Sequence, residues 1–140
     1  MEITNKQMTE LLHKELSFKL TGLVYEVDNT IGYGQNEKIY GDCFEQLPQR
    51  EKINYKREIY FPLKINDRVI KKYYFDFLID DKIIIELKIS DRNYKNVCTQ
   101  IFQCLKSSGR KLGIVFRFMP DGVRSKRIPN YYQSFVIWNN

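Results

Sequence analysis

The chain is poor in the residues on which many small catalytic and metal-binding folds depend. It has one histidine, His13, so a histidine-based triad has little to stand on. Its three cysteines, Cys43, Cys98 and Cys104, are odd in number and no pair has CxxC spacing. Neither a disulfide framework nor a zinc ribbon fits that pattern, and reduced thiols are expected. No apolar run approaches the roughly 20 residues that cross a bilayer. The segment MEITNKQMTE has acidic and polar residues where a secretory signal has a basic end and an apolar core. A cytoplasmic chain with no membrane partner is the expectation. Walker glycine loops, dinucleotide fingerprints and serine elbows are missing, as are internal repeats and Pro/Gly/Ser linkers. At 140 residues, a single domain over 1–140 is expected.

Charge and apolar bulk are what the chain has. Hydrophobic residues make up 43% and aromatic ones 14%, enough to build a core. Lys and Arg number 23 against 17 Asp and Glu, a net charge of +6. That excess favours a polyanionic partner, nucleic acid ahead of an anionic surface.

Periodicity divides the chain into elements. Leu11, Leu12, Leu16, Phe18, Leu20 and Leu23, continued by Val24, Val27 and Ile31, predict a helix from Thr9 until Gly32 and Gly34 interrupt it. A second helix starts at Gln35 or Asn36, carries Ile39, Tyr40, Cys43, Phe44 and Leu47, and is expected to end at Pro48; on it Glu37 lies one turn before Tyr40. The period then changes to two. Ile53 to Ile65, VIKKYYFDFLI and IIIELKI read as an antiparallel meander, with turns at Asn66-Asp67 and at Asp80-Asp81-Lys82. Tyr94, Val97, Cys98, Ile101, Leu105 and Ser108 predict a third helix, closed by Gly109. LGIVFRFM reads as a strand buried on both faces, MPDG as a turn and QSFVIW as a short last strand. The fold class is α/β, a mixed central sheet flanked by helices.

One segment carries chemistry. Asp76 is a lone acid inside an apolar strand, with Phe75 and Phe77 expected together on the opposite side. Glu86 and Lys88 lie two apart on the next strand and share a face, with Ile83, Ile85 and Leu87 on the other. If the turn pairs these strands, Asp76 and Glu86 converge. Two carboxylates in a half-buried sheet repel unless paired or bridged, and a hard divalent cation removes that repulsion. A lysine alongside can position a water or stabilise a crowded phosphate. Acid, acid and lysine so arranged suit metal-assisted phosphodiester hydrolysis. The competing reading is a structural ion pair between Glu86 and Lys88.

Asp76, nine residues, then Glu86-Leu87-Lys88 resembles the signature of the PD-(D/E)XK nuclease superfamily. Gly34-Gln35-Asn36-Glu37-Lys38-Ile39-Tyr40 reads as GxxExxY, the heptad that names a family of small bacterial proteins assigned to it. The likeness runs over residues 20–116 and includes Thr21-Gly22, Glu26-Val27, Arg57-Glu58, FDFLIDDKIIIELK, Gln100, LKSSG and KLGIVF. It implies a restriction-endonuclease-like αβββαβ core. It also implies Mg²⁺ or Mn²⁺ held by Asp76 and Glu86 with the Leu87 carbonyl assisting, and Lys88 as the catalytic lysine. Glu37 would face the metal from the second helix, and Gln100 would hold the lysine or a phosphate from the third. The chain departs from the family pattern at Asp28, Cys104 and Arg117, where the usual residues are histidine, tyrosine and asparagine. These changes touch substrate contacts rather than the acid, acid and lysine set.

Basic residues available to a phosphate backbone are Lys71 and Lys72 before Asp76, Arg92, Lys95, Lys106, Arg110 and Lys111 around the third helix, and Arg124, Lys126 and Arg127 in an expected C-terminal loop. Tyr73, Tyr74, Tyr131 and Tyr132 are candidates to stack on unpaired bases. The leading expectation is a metal-dependent nuclease acting on DNA, exonuclease-like on ends or single strands. The alternatives are a non-catalytic nucleic-acid-binding or assembly module that keeps the fold, and a subunit active only with a helicase or other protein partner; a homo-oligomer stays open beside these.

Overall fold

Leu20, Leu23, Val24 and Val27 recur at helical spacing and are all buried along one side of α1 (Lys14–Ile31). The computed structural model describes residues 12–130 together with Thr4 and Gln7. The expected first turn from Thr9, Tyr131, Tyr132 and the expected strand QSFVIW lie outside the described residues. His13, expected on the helix surface, stands half-buried just before α1. Gly32 stops α1, and its N–H donates to the Asp28 carbonyl at 2.8 Å. Asn36 then caps α2 (Glu37–Arg50), its side chain accepting from the Ile39 N–H at 2.9 Å. Pro48 does not end α2, which runs on to Arg50. A proline in the last turn forfeits one donor only, and the Pro48 carbonyl still accepts from the Ile53 N–H at 2.8 Å.

The meander follows as β1 (Tyr55–Ile65), β2 (Arg68–Ile79) and β3 (Ile83–Lys88), paired antiparallel. Asn66 and Asp67 both take positive φ, as do Asp80 and Asp81; this is the backbone that lets a tight hairpin turn match strand twist. After β3 the chain crosses through α3 (Tyr94–Ser108) to β4 (Leu112–Met119), which lies parallel to β3. β5 (Gly122–Pro129) then pairs antiparallel with β4, giving the order β1-β2-β3-β4-β5. The segment holding Arg124, Lys126 and Arg127, expected as a loop, is this edge strand. Arg124, Ser125 and Lys126 sit exposed at the edge, Arg127 is half-buried, and Ile128 turns inward.

Two apolar layers cover the sheet. Under α1 and α2 lie Phe77, Ile79, Ile83, Ile85, Leu87, Ile114, Phe116 and Phe118; under α3 lie Phe75, Leu78, Ile84 and Val115. This three-layer mixed sheet is the restriction-endonuclease-like architecture. One detail departs from simple alternation. Phe75 joins the α3 layer and Phe77 the opposite one, so the two do not share a face. The face changes across Asp76, opposite Glu58 in β1, whose φ of 55° is left-handed. A non-glycine residue there gives the ribbon a sharp local twist.

No helix among the described residues is long and apolar enough to cross a membrane.

Candidate active site

The β2–β3 ladder runs through Ile79↔Ile83, Leu78↔Ile84 and Phe77↔Ile85, and there the regular pairing stops. At the next step side chains replace backbone partners. The Asp76 N–H donates to Glu86 Oε1 at 2.7 Å, and the Leu87 N–H donates to Asp76 Oδ2 at 2.7 Å. Each carboxylate satisfies the backbone donor of the opposite strand, so the strands part without stranding a buried N–H. The sequence fold-back therefore does bring Asp76 and Glu86 together.

The electrostatics are unfavourable to two charges. Glu86 is only 6% exposed. Burial first and the Asp76 charge second push its carboxyl up to about 8, with Lys88 pulling the other way. Burial likewise raises Asp76, opposed by its bond from Leu87 and by the Lys88 charge. Lys88 Nζ lies 3.4 Å from Glu86 Oε2 and 3.9 Å from Glu37 Oε2. A single ammonium cannot neutralise three carboxylates.

Glu37 reaches the cleft because the preceding turn is pinned. Gly34 has φ 107°, open to glycine and strained for other residues. Tyr40, fully buried, stacks on Phe118 with centroids 4.0 Å apart, and its hydroxyl donates to the Gly32 carbonyl at 2.6 Å. The spacing Gly34, Glu37, Tyr40 is thus a turn, a presented acid and an anchor. Arg57 of β1 ties α2 to the sheet through Asp42 at 2.7 Å and Glu45 at 3.0 Å. The sequence reading gave Arg57 no such role; a cation in a strand beside a helix carrying two acids one turn apart was the available signal.

Among the described residues, no three His, Cys, Asp or Glu side chains form a group at metal-binding spacing. The donor chemistry of the pair still fits a hard divalent cation. Mg²⁺ characteristically takes one or two carboxylates and fills its shell with water and substrate oxygens. Asp76 and Glu86 offer just such a pair, each with one oxygen already fixed by a backbone donor.

Gln100 is half-buried on α3. Arg92 and Lys95 are exposed at the end of α3 that follows β3, whereas Lys106, Arg110 and Lys111 lie at its other end, about 20 Å away along 15 residues. Arg110 pins the β2–β3 turn, bonding Asp81 at 2.6 Å. Arg127 bonds Ser17 Oγ and, at 2.7 Å, the Leu12 carbonyl. Lys71, Lys72 and Lys126 are exposed on strands, and Arg124 pairs with Asp121 at 2.8 Å. Of the tyrosines, Tyr73 is buried and Tyr74 is 64% exposed. Arg117, absent from the sequence-derived set, is the register partner of Lys88. Its signal was the same as that of Asp76, a charge inside an apolar strand.

The family model of the PD-(D/E)XK nuclease superfamily matches residues 14–128. A solved structure titled "Crystal structure of SSO0001" superposes with a TM-score of 0.51 at 18% identity, covering 92% of this chain and 69% of that one; it supports the fold alone. No curated protein matches the sequence.

Proposed function

The chain belongs to the PD-(D/E)XK nuclease superfamily, and from that membership we propose that it is a Mg²⁺- or Mn²⁺-dependent nuclease hydrolysing DNA phosphodiester bonds in the cytoplasm. The observation that carries the proposal is the pair Asp76 and Glu86, locked across parted strands with Lys88 beside them. Within the superfamily, the spacing of Gly34, Glu37 and Tyr40 supports its assignment to the GxxExxY group. Asp76 and Glu86 would hold the cation, with the Leu87 carbonyl assisting, while Glu37 meets the cleft through Lys88 rather than as a ligand. When bound, a divalent cation polarises the phosphate and makes water a better nucleophile. Lys88 stabilises negative charge that builds on the phosphate oxygens, in a site dry enough to strengthen that attraction. Glu37 holds the Lys88 ammonium in place, and Gln100 approaches the substrate from α3.

The test is cleavage of end-labelled DNA by the wild type and by Lys88→Met, in Mg²⁺, in Mn²⁺ and in chelator. Cleavage should require the metal and fall roughly 10²–10³-fold in the variant, by more than its DNA binding falls. DNA binding with no cleavage in any metal would instead favour the non-catalytic module. Cleavage in chelator would refute metal dependence.

A further inference from the structure

Lys88, Arg117 and Arg124 lie on three consecutive strands and are mutual register partners, Lys88↔Arg117 and Arg117↔Arg124. Their strand-mates at even spacing, Ile84, Val115 and Ile128, all pack under α3, so the three basic residues start from that same face. Neighbouring strands lie about 4.8 Å apart, which sets three cations in a row roughly 10 Å long. The row crosses the carboxyl end of β3 and β4, the parallel pair of the sheet. That end of a parallel pair is where open α/β sheets hold ligands.

Like charges aligned this closely repel, and the fold answers with acids. Glu86 and Glu37 face Lys88, and Asp121 bonds Arg124. Asp91, just before α3, bonds Arg117 Nη1 at 2.5 Å, and the Arg117 guanidinium lies 4.0 Å over the Tyr94 ring. Arg117 is only 16% exposed, and its Nε is buried with no hydrogen-bond partner among the described residues. A guanidinium bonded at one corner keeps donors for an oxyanion. Asp91 also bears on the next member of the row: Arg124 is held more basic first by Asp121 and additionally by the Asp91 charge.

We propose that Lys88, Arg117 and Arg124 form a phosphate track along which the nucleic-acid backbone leaves the carboxylate cleft across β4 and β5, with Asp91 standing in for a phosphate in the unbound protein. The inference rests on the nuclease reading and gives it a direction. The substrate strand runs across the sheet toward β5, not along the β1–β2 ribbon. Because backbone phosphates are contacted, the track is indifferent to base sequence.

Fluorescence anisotropy of a labelled DNA duplex with a single-stranded overhang tests this in metal-free buffer, with cleavage in Mg²⁺ measured on the same samples. Arg117→Gln and Arg124→Gln should each weaken binding roughly tenfold and lower the salt slope by about one. Asp91→Asn should tighten binding. Lys52→Gln, on the loop after α2, should leave affinity unchanged. Arg117→Gln that lowers the thermal midpoint but leaves affinity and salt slope intact would overturn the track and make Arg117 a strut for α3. Wild type that cleaves while Arg117→Gln and Arg124→Gln both bind normally overturns the track alone. Wild type whose binding depends on Arg117 and Arg124 but never cleaves overturns the nuclease reading alone. No binding at all overturns both.

Discussion

At neutral pH and above, the cleft between β2 and β3 confines a carboxyl group that the fold favours in its protonated form. Glu86 ionises near 4.5 when exposed and near 8 when folded. Between those values the folded chain binds more protons than the unfolded one. Glu86 therefore costs nothing below about pH 4.5, and the cost grows as pH rises toward 8. At about 1.4 kcal/mol per pH unit it reaches roughly 4–5 kcal/mol at pH 8. Glu86→Gln removes that cost and keeps an oxygen to accept the Asp76 N–H. It deprives Lys88 of one partner, which returns about 1–2 kcal/mol. The variant should therefore be about 3 kcal/mol more stable at pH 8, some 8–12 °C in Tm for a chain of this size, and should not cleave DNA. Thermal unfolding with chelator at pH 5 and pH 8 measures both effects. The wild type should lose stability over that window and the variant should lose markedly less, since Asp76 alone is then left raised by burial; added Mg²⁺ should restore the wild type more than the variant. A variant no more stable than wild type at pH 8, or a wild type indifferent to pH over this window, would refute the reasoning.

Other outcomes follow from the packing around the cleft. Tyr40→Phe removes the hydroxyl bonded to the Gly32 carbonyl. It should cost about 1–2 kcal/mol in urea unfolding and lower cleavage by loosening Glu37; unchanged stability would show that the stacking on Phe118 alone anchors the turn. Gly113→Ala would set a Cβ 2.4 Å from Ile101 Cγ2, with the Ile84 carbonyl oxygen 3.5 Å away. Ile101 must shift under α3, so a loss of about 1–3 kcal/mol should appear as a lower urea midpoint; no change would mean that α3 yields freely.

The parts of the fold that follow from one period were legible in the sequence. The stripes on α1 and α3 each reflect burial of one face, and each lies where the pattern put it; β1 alternates as read but changes face, with Tyr55 under α1 and α2 and Ile59, Phe61 and Leu63 under α3. The convergence of Asp76 on Glu86 was readable for the same reason, since a tight turn fixes the hairpin register. What escaped reading depends on partners distant in sequence. Phe75 and Phe77 were assigned one face because alternation assumes an untwisted ladder, and the left-handed Glu58 lies 17 or more positions away. Arg124, Lys126 and Arg127 looked like loop because an edge strand has little apolar signal, although β4 supplies its hydrogen bonds. Arg110 and Arg127 read as free cations, yet their partners Asp81, Ser17 and Leu12 come from other elements.

The central claim is that Asp76 and Glu86 hold a divalent cation that the chemistry requires. Calorimetric titration of Mn²⁺ into the wild type and into Asp76→Asn, with DNA cleavage followed on the same samples, tests it most directly. The wild type should bind Mn²⁺ and cleave, and the variant, which keeps an acceptor for the Leu87 N–H, should do neither. A wild type that takes up no Mn²⁺ at millimolar concentration, or a variant that binds and cleaves as well as wild type, would contradict it.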